Sequence, residues 1–325
     1  MESTILSFNT ALFSLAHDQR LSKIRQVPKA DLHAHVILSA PFSTLRRLSG
    51  DTIPTPPQRF NSLIEFLTWL KEHVYVAISC PQKQKALLAD CLDHMIYDGV
   101  CYTELSFDIR LARTCGGNWS DLICGWKEEI YSRRHQIRVS PEIGIARELE
   151  RQFVEDELAT ITKNTFFEGI DLYGAELSHP IESFAYLMAY SKNKHWRLKA
   201  HSGEVGSGER LLHELQFAKP FAIQHGINAV QSKAALELLS HTKIQVNVCP
   251  WSNIYLSLVA DYKSHPIRAL YDAGVAVTIA SDDYAIFGRS LSEEYCALYD
   301  QAIFSADELE KIRANGLRHY IPLTK

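Results

Sequence analysis

The stretch Trp196-Arg197-Leu198-Lys199-Ala200-His201-Ser202-Gly203-Glu204-Val205-Gly206 sets Trp196, Leu198 and Ala200 at alternate positions, then a histidine, then a glutamate three residues on. Alternation with period two marks a strand. Trp196 to His201 therefore reads as a strand with His201 at its C-terminal end. A histidine so placed can ligate a metal ion, and a carboxylate just beyond it can move protons beside that ion. The fold depends on whether the chain repeats such strands at intervals filled by helices.

Working outward, similar strands recur on both sides. Upstream lie Lys29–Val36, Gly99–Ser106, Ile137–Ala146 and Gly169–Gly174; downstream lie Phe221–His225, Lys243–Cys249 and Val275–Ala280. Apolar residues at helical spacing fill the intervals: Phe60–Ser79, Gln82–Tyr97, a helix running from the Cys115-Gly116-Gly117-Asn118 turn to about His135, Ile181–Ser191, Gly208–Gln216, Gln231–Leu239 and Pro266–Ala273. One or two helices precede the first strand, between about Thr4 and Gln26, and two follow the last, Leu291–Phe304 and Ala306–Gly316. Gly50–Gln58 holds three prolines and reads as a loop. Eight strands alternating with helices predict an α/β fold, a TIM (β/α)8 barrel with N-terminal and inserted helices, with residues 1–325 forming a single domain. A doubly wound open sheet is the alternative, but the glycine-rich turn it usually carries after the first strand is missing.

Composition sets the outer bounds. With 46% apolar and 22% charged residues and a net charge of -4, the chain has no general affinity for nucleic acid or an anionic membrane. Its seven cysteines are odd in number, scattered and without a C-x-x-C pair, which argues against a disulfide framework or a cysteine zinc knuckle. The Met1-Glu2-Ser3-Thr4 start lacks the features of a signal peptide, and no apolar run is long enough to span a membrane. The expected location is the cytoplasm, and nothing in the sequence sets an oligomeric state.

In a barrel of this kind, active sites gather at the C-terminal ends of the strands. His33 and His35 end the first strand, two residues apart and so on one face. Gly174 ends the fourth, His201 the fifth and His225 the sixth, and Asp282 and Asp283 follow the eighth. Three imidazoles and a carboxylate suit one zinc ion that keeps a bound water, whose pKa the metal brings toward neutrality. Glu204 and His225 could then manage protons, with no organic cofactor. Taken singly, each residue has an ordinary structural reading. An H-x-H pair arises by chance in strands, a single histidine can be a satisfied core residue, and Asp282-Asp283 can cap a helix. Their meeting on one rim is what points to chemistry. His73, His94, His135, His195, His213 and His319 fall in or near helices and read as surface or packing residues. Glu104, Asp108, Asp171 and Glu176 read as ion-pair or hydrogen-bond partners of the rim.

The chain resembles the adenosine deaminase family of metal-dependent amidohydrolases. The resemblance rests on Pro28-Lys29-Ala30-Asp31-Leu32-His33-Ala34-His35, His201-Ser202-Gly203-Glu204-Val205-Gly206, His225-Gly226, Cys249-Pro250-Trp251-Ser252-Asn253 and Ser281-Asp282-Asp283, in the family's order. It implies that His33, His35, His201 and Asp282 hold zinc and that Glu204 protonates the purine ring nitrogen next to the attacked carbon. His225 would orient the hydroxide and aid its deprotonation, Asp283 would bond the imidazole side of the ring, and the Gly174 backbone would meet the pyrimidine side. Hydroxide attacks the amino-bearing carbon and ammonia leaves.

Four positions depart from the family pattern. Val36-Ile37-Leu38 stands where an acidic residue usually contacts the sugar hydroxyl, and Ile37 cannot accept that bond. Gln224 stands where glycine is frequent, Asn247 where glutamate is frequent, and Tyr284 where proline is frequent. Ile37 and Tyr284 are therefore expected at the substrate, Tyr284 narrowing the pocket or stacking on a ring. The expected reaction is hydrolytic deamination of adenosine or a related aminopurine. Adenine, an N6-substituted adenine, a modified nucleoside and a pterin are rival substrates. A metal phosphoesterase and a non-catalytic binding member of the fold are the other readings.

Overall fold

The structure is a computed structural model that describes residues 7–116, 118–161 and 165–320. Its centre is a barrel of eight parallel strands in sequential order: β1 (Lys29–His35), β2 (Val100–Asp108), β3 (Arg138–Ala146), β4 (Gly169–Tyr173), β5 (Arg197–Ser202), β6 (Ala222–His225), β7 (Gln245–Val248) and β8 (Ala276–Ile279). The exit of β8 meets β1: the Asp282 N–H donates to the His33 carbonyl at 3.0 Å, and Ala34 and Asp282 form a parallel bridge. Every strand expected from the alternation is present. The short later strands are buried along their whole length, because helices cover one face and barrel-interior side chains fill the other.

The helices follow the expected order with these differences. Phe60–Ser79 contracts to Leu63–His73, because the Ser62 side chain caps the start by accepting the Glu65 N–H. The short helices Leu111–Thr114, Pro250–Tyr255 and Tyr284–Phe287 are additional to those read from the sequence, and so are two longer ones, Phe42–Ser49 and Arg151–Ile161. In the first, paired arginines interrupt a short apolar stripe; in the second, charged residues alternate with the few buried positions Val154, Leu158 and Ile161. The closing helices Leu291–Asp300 and Ala306–Gly316 both begin with complete capping boxes, Ser290 with Glu293 and Ser305 with Glu308. Among the described residues, no helix is long and apolar enough to cross a membrane.

A polar layer crosses the barrel interior. Lys199 on β5 is fully buried, and its Nζ lies 2.8 Å from Glu104, 2.7 Å from Glu142 and 2.9 Å from the Leu32 carbonyl. The same carbonyl accepts from Gln224 Nε2 at 3.3 Å and Asn247 Nδ2 at 3.2 Å, and Asn247 also donates to Gln224 Oε1 at 2.7 Å. Two departures from the family pattern are thus hydrogen-bonded neighbours. Burial raises Glu142 to about 8. Glu104 is equally buried, yet Lys199 and Arg197 hold it below the usual carboxylate range. One lysine is therefore matched by one carboxylate, the arrangement that makes a buried charge tolerable. The layer lies directly beneath the ends of β1, β5, β6 and β7 and holds them in register.

Candidate active site

At the C-terminal mouth of the barrel, His33, His35 and His201 bring ring nitrogens within 4.8 Å of one another. Asp282 joins them, with Oδ1 3.4 Å from His33 Nε2 and 3.4 Å from His35 Nε2. The carboxylate gets there because Asp282 turns sharply out of β8 with φ of +59°, a conformation rare for a non-glycine residue. The Ser252 hydroxyl then donates to Asp282 Oδ2 at 2.6 Å. On the far side of the His33 ring, Nδ1 lies 3.3 Å from the Cys249 thiol, which leaves Nε2 facing inward.

The nitrogens His33 Nε2 and His201 Nε2 are buried and have no hydrogen-bond partner among the described residues. Native interiors seldom leave such atoms unsatisfied. Burial holds His33 well below the ordinary imidazole value, so it is neutral and can ligate. His35 is raised to about 10, since Asp283, Asp282 and Asp171 outweigh its own burial. That surplus of negative charge is what a cation would neutralise. Orphaned imidazole nitrogens, an aspartate held ionised by the surrounding histidines and excess carboxylate charge together fit a divalent metal ion.

Glu204 and His225 flank this cluster. Glu204 Oε1 lies 3.5 Å from His225 Nε2. Burial, together with Asp282, Glu176 and Asp283, raises Glu204 well above the carboxylate range, which favours its protonated form. Burial and Asp282 raise Asp283 as well. Burial lowers His225 to about 3. The turn bearing Glu204 is fixed by Glu176, whose Oε1 accepts the N–H of Gly203 at 2.7 Å. Its Oε2 accepts those of Glu204 at 3.1 Å, Val205 at 2.7 Å and Gly206 at 2.9 Å. Gly203 sits at φ of +67°, which favours glycine there.

These groups open into a cleft of about 600 Å³. Its floor holds His35, His201, Glu204, His225, Asp282 and Asp283. One wall is apolar: Ile37 and Leu38 from the turn after β1, the Leu63, Phe66, Leu67 and Leu70 face of the Leu63–His73 helix, and Leu256. The other carries Tyr75, Ser106, Asp108, Tyr173 and Gly174. Asp108 is already engaged, accepting the Tyr173 hydroxyl at 2.7 Å and the Arg110 guanidinium Nε at 2.9 Å.

The strand-end residues named from the sequence therefore lie together at this mouth, and Ile37 and Gly174 line the cleft. Tyr284 does not. It begins the short Tyr284–Phe287 helix, and its ring stacks on His94 at 3.9 Å between centroids, 17° from parallel. It borders a different, small cavity with Asp31, Asp98 and Ser290. The left-handed turn at Asp282 directs Asp282 and Asp283 inward and carries the next residue outward, so the expectation that Tyr284 narrows the pocket is corrected. Glu176 is a hydrogen-bond partner of the rim, as expected for it. The sequence reading missed Ser252 and His265, neither of which sits at a strand end, and read the Leu63–Leu70 stripe only as one side of a helix, with no role at the site.

Comparison with known proteins agrees with this geometry. The adenosine deaminase family model matches residues 28–322. A candidate adenosine/adenine deaminase of Treponema pallidum (strain Nichols) is 32% identical over 274 residues, covering 84% of this chain and 92% of that protein. Two crystal structures share the fold. An adenine deaminase from Arthrobacter aurescens has a TM-score of 0.82 at 22% identity, covering 90% of this chain and 93% of that one. An amidohydrolase from Burkholderia ambifaria with bound Zn has a TM-score of 0.83 at 17% identity, covering 97% and 90%. With its strand-end histidines and aspartates assembled on one rim, the chain belongs to the adenosine deaminase family and is a hydrolase acting on a carbon–nitrogen bond of an aminopurine.

Proposed function

We propose that this chain is a zinc-dependent deaminase whose preferred substrate is the free base adenine, or an adenine bearing only a small apolar substituent, rather than adenosine. The observation that carries the preference is Ile37. Its buried side chain lines the cleft in continuity with Leu38 and the Leu63–Leu70 helix face, and it offers no acceptor to a sugar hydroxyl. Burying a hydroxyl against such a wall costs about 1–3 kcal/mol in an unmade hydrogen bond. Burying an apolar group there costs nothing of the kind.

In this reading His33, His35, His201 and Asp282 hold one zinc ion per chain. Bound there, zinc would bring water close to deprotonation at neutral pH and so supply the nucleophile. The remaining steps belong to the protein. Glu204, whose protonated form is favoured by burial, donates to the ring nitrogen beside the amino-bearing carbon, which makes that carbon electrophilic. Asp283 hydrogen-bonds the imidazole side of the ring, and the Gly174 backbone meets the pyrimidine side. Water adds, ammonia leaves, and a 6-oxopurine remains. The chain would work as a single domain, and its seven free cysteines suit a reducing cytoplasm.

The test is release of ammonia from adenine, adenosine and a pterin, and of methylamine from N6-methyladenine, with metal analysis of the same sample. Adenine is expected to give the highest kcat/KM, with about one zinc per chain. A clear preference for adenosine would overturn the assigned substrate.

A further inference from the structure

We propose that His265, acting through Asn253, fixes the tautomer of His225 and makes that imidazole a hydrogen-bond donor toward the reacting centre instead of a proton acceptor. The proposal rests on the deaminase reading of the site and deepens it. His265 lies just before the Ile267–Asp272 helix, far in sequence from His225, and is buried.

The argument begins at a group that cannot reverse. The backbone N–H of Ile267 donates to His265 Nδ1 at 3.0 Å. A peptide N–H can only donate, so Nδ1 is the acceptor and the proton of the neutral ring sits on Nε2. That nitrogen lies 3.2 Å from the Asn253 side-chain oxygen. The oxygen of Asn253 must face His265, because the reversed amide would set two N–H groups against each other. Its Nδ2 is thereby turned to His225 Nδ1, 3.2 Å away. Asn253 is fully buried, so no solvent offers it another arrangement. His225 Nδ1 accepts, and the ring proton of His225 is on Nε2.

Nε2 is the atom that faces the chemistry. It lies 3.5 Å from Glu204 Oε1 and 4.0 Å from Asp282 Oδ2. Both imidazoles are neutral, because each accepts an N–H at Nδ1 and so carries a single ring proton. A neutral ring protonated at Nε2 has no lone pair there with which to take a proton. His225 therefore orients an oxygen by donating to it. The proton that water gives up goes instead to Glu204, which has become a carboxylate by protonating the ring. This revises the expectation that His225 aids deprotonation. His265 is a positioning residue, since it reaches the centre only through Asn253.

The test is histidine-selective 15N NMR of the metal-loaded enzyme, with kinetics alongside. Wild type is expected to show the Nε2–H tautomer at both His225 and His265. Asn253→Asp supplies acceptors only and should flip His225 to Nδ1–H, with kcat falling about 10–100-fold and KM changing by less than about twofold. His265→Gln retains an N–H donor and should keep the His225 tautomer and most of kcat; His265→Leu should lose both while binding the same metal. An Nδ1–H signal at His225 in wild type would overturn the proposal, as would an unchanged tautomer and kcat in His265→Leu. If Asn253→Asp does not fold, wild type and the two His265 variants decide. The NMR readout needs no substrate, so absence of turnover on every aminopurine would overturn the assigned function and leave the tautomer result standing.

Discussion

The Glu176 carboxylate accepts the backbone N–H of Glu204 at 3.1 Å, so the residue proposed to protonate the substrate is aimed by a second glutamate 28 positions earlier in the chain. Three neighbouring amides share that carboxylate. Glu176→Gln keeps the shape but sets an amide N–H against at least one backbone N–H. The turn should loosen at a cost of about 1–3 kcal/mol. The expected outcome is a lower melting temperature and about a tenfold lower kcat, with metal content unchanged. Normal kcat in a folded variant would show that the turn holds Glu204 without this carboxylate.

Glu204→Gln should retain metal and fold normally, because Gln fills the same space and the site already favours the uncharged form of Glu204. General acid catalysis contributes about 10²–10⁴-fold, so kcat should fall by that order. Activity close to wild type would remove Glu204 from the proton path.

Ile37→Asp places an acceptor on the apolar wall beside the metal-ligand candidates. It should raise kcat/KM for adenosine relative to adenine by about tenfold or more, as hydrogen-bonding pockets discriminate far more strongly than apolar ones. A ratio that does not move would show that Ile37 faces another part of the substrate.

His265 also makes stability depend on pH. Burial lowers it to about 3 from an ordinary 6.5. The unfolded chain therefore binds a proton below 6.5 that the folded chain refuses. Its contribution is complete above pH 6.5 and is lost by about 1.4 kcal/mol per pH unit as pH falls toward 3. His265→Gln lacks this titration. In urea unfolding between pH 7 and 4, the stability gap between wild type and variant should be widest at pH 7 and narrow with acid. A constant gap would mean that the ring is not held neutral.

The barrel was legible because each strand carries its pattern locally, and the ends of those strands are where His33, His35, His201 and His225 stand. What the sequence concealed depends on direction rather than pattern. The +59° turn at Asp282 decides that Asp283 enters the cleft and Tyr284 leaves it, and no periodicity encodes that. The Leu63, Phe66, Leu67 and Leu70 stripe has the same spacing whether it packs on a core or lines a pocket. His265 is invisible for a third reason: its partners Asn253 and Ile267 are assigned by loop geometry, which sequence spacing leaves open. Phe42–Ser49 and Arg151–Ile161 escaped because charges break their apolar stripes.

The shared target of Lys199, Gln224 and Asn247, the carbonyl of Leu32, bears on how this chain can change over generations. Gln224 and Asn247 hold each other as well as that carbonyl. Exchanging either one alone strands a polar group in the middle of the barrel, so the two substitutions must be inherited as a pair. The apolar wall above, from Ile37 to Leu256, carries no such debt and can be altered one residue at a time. Descendants of this sequence should therefore drift first in what they accept and last in what they do to it.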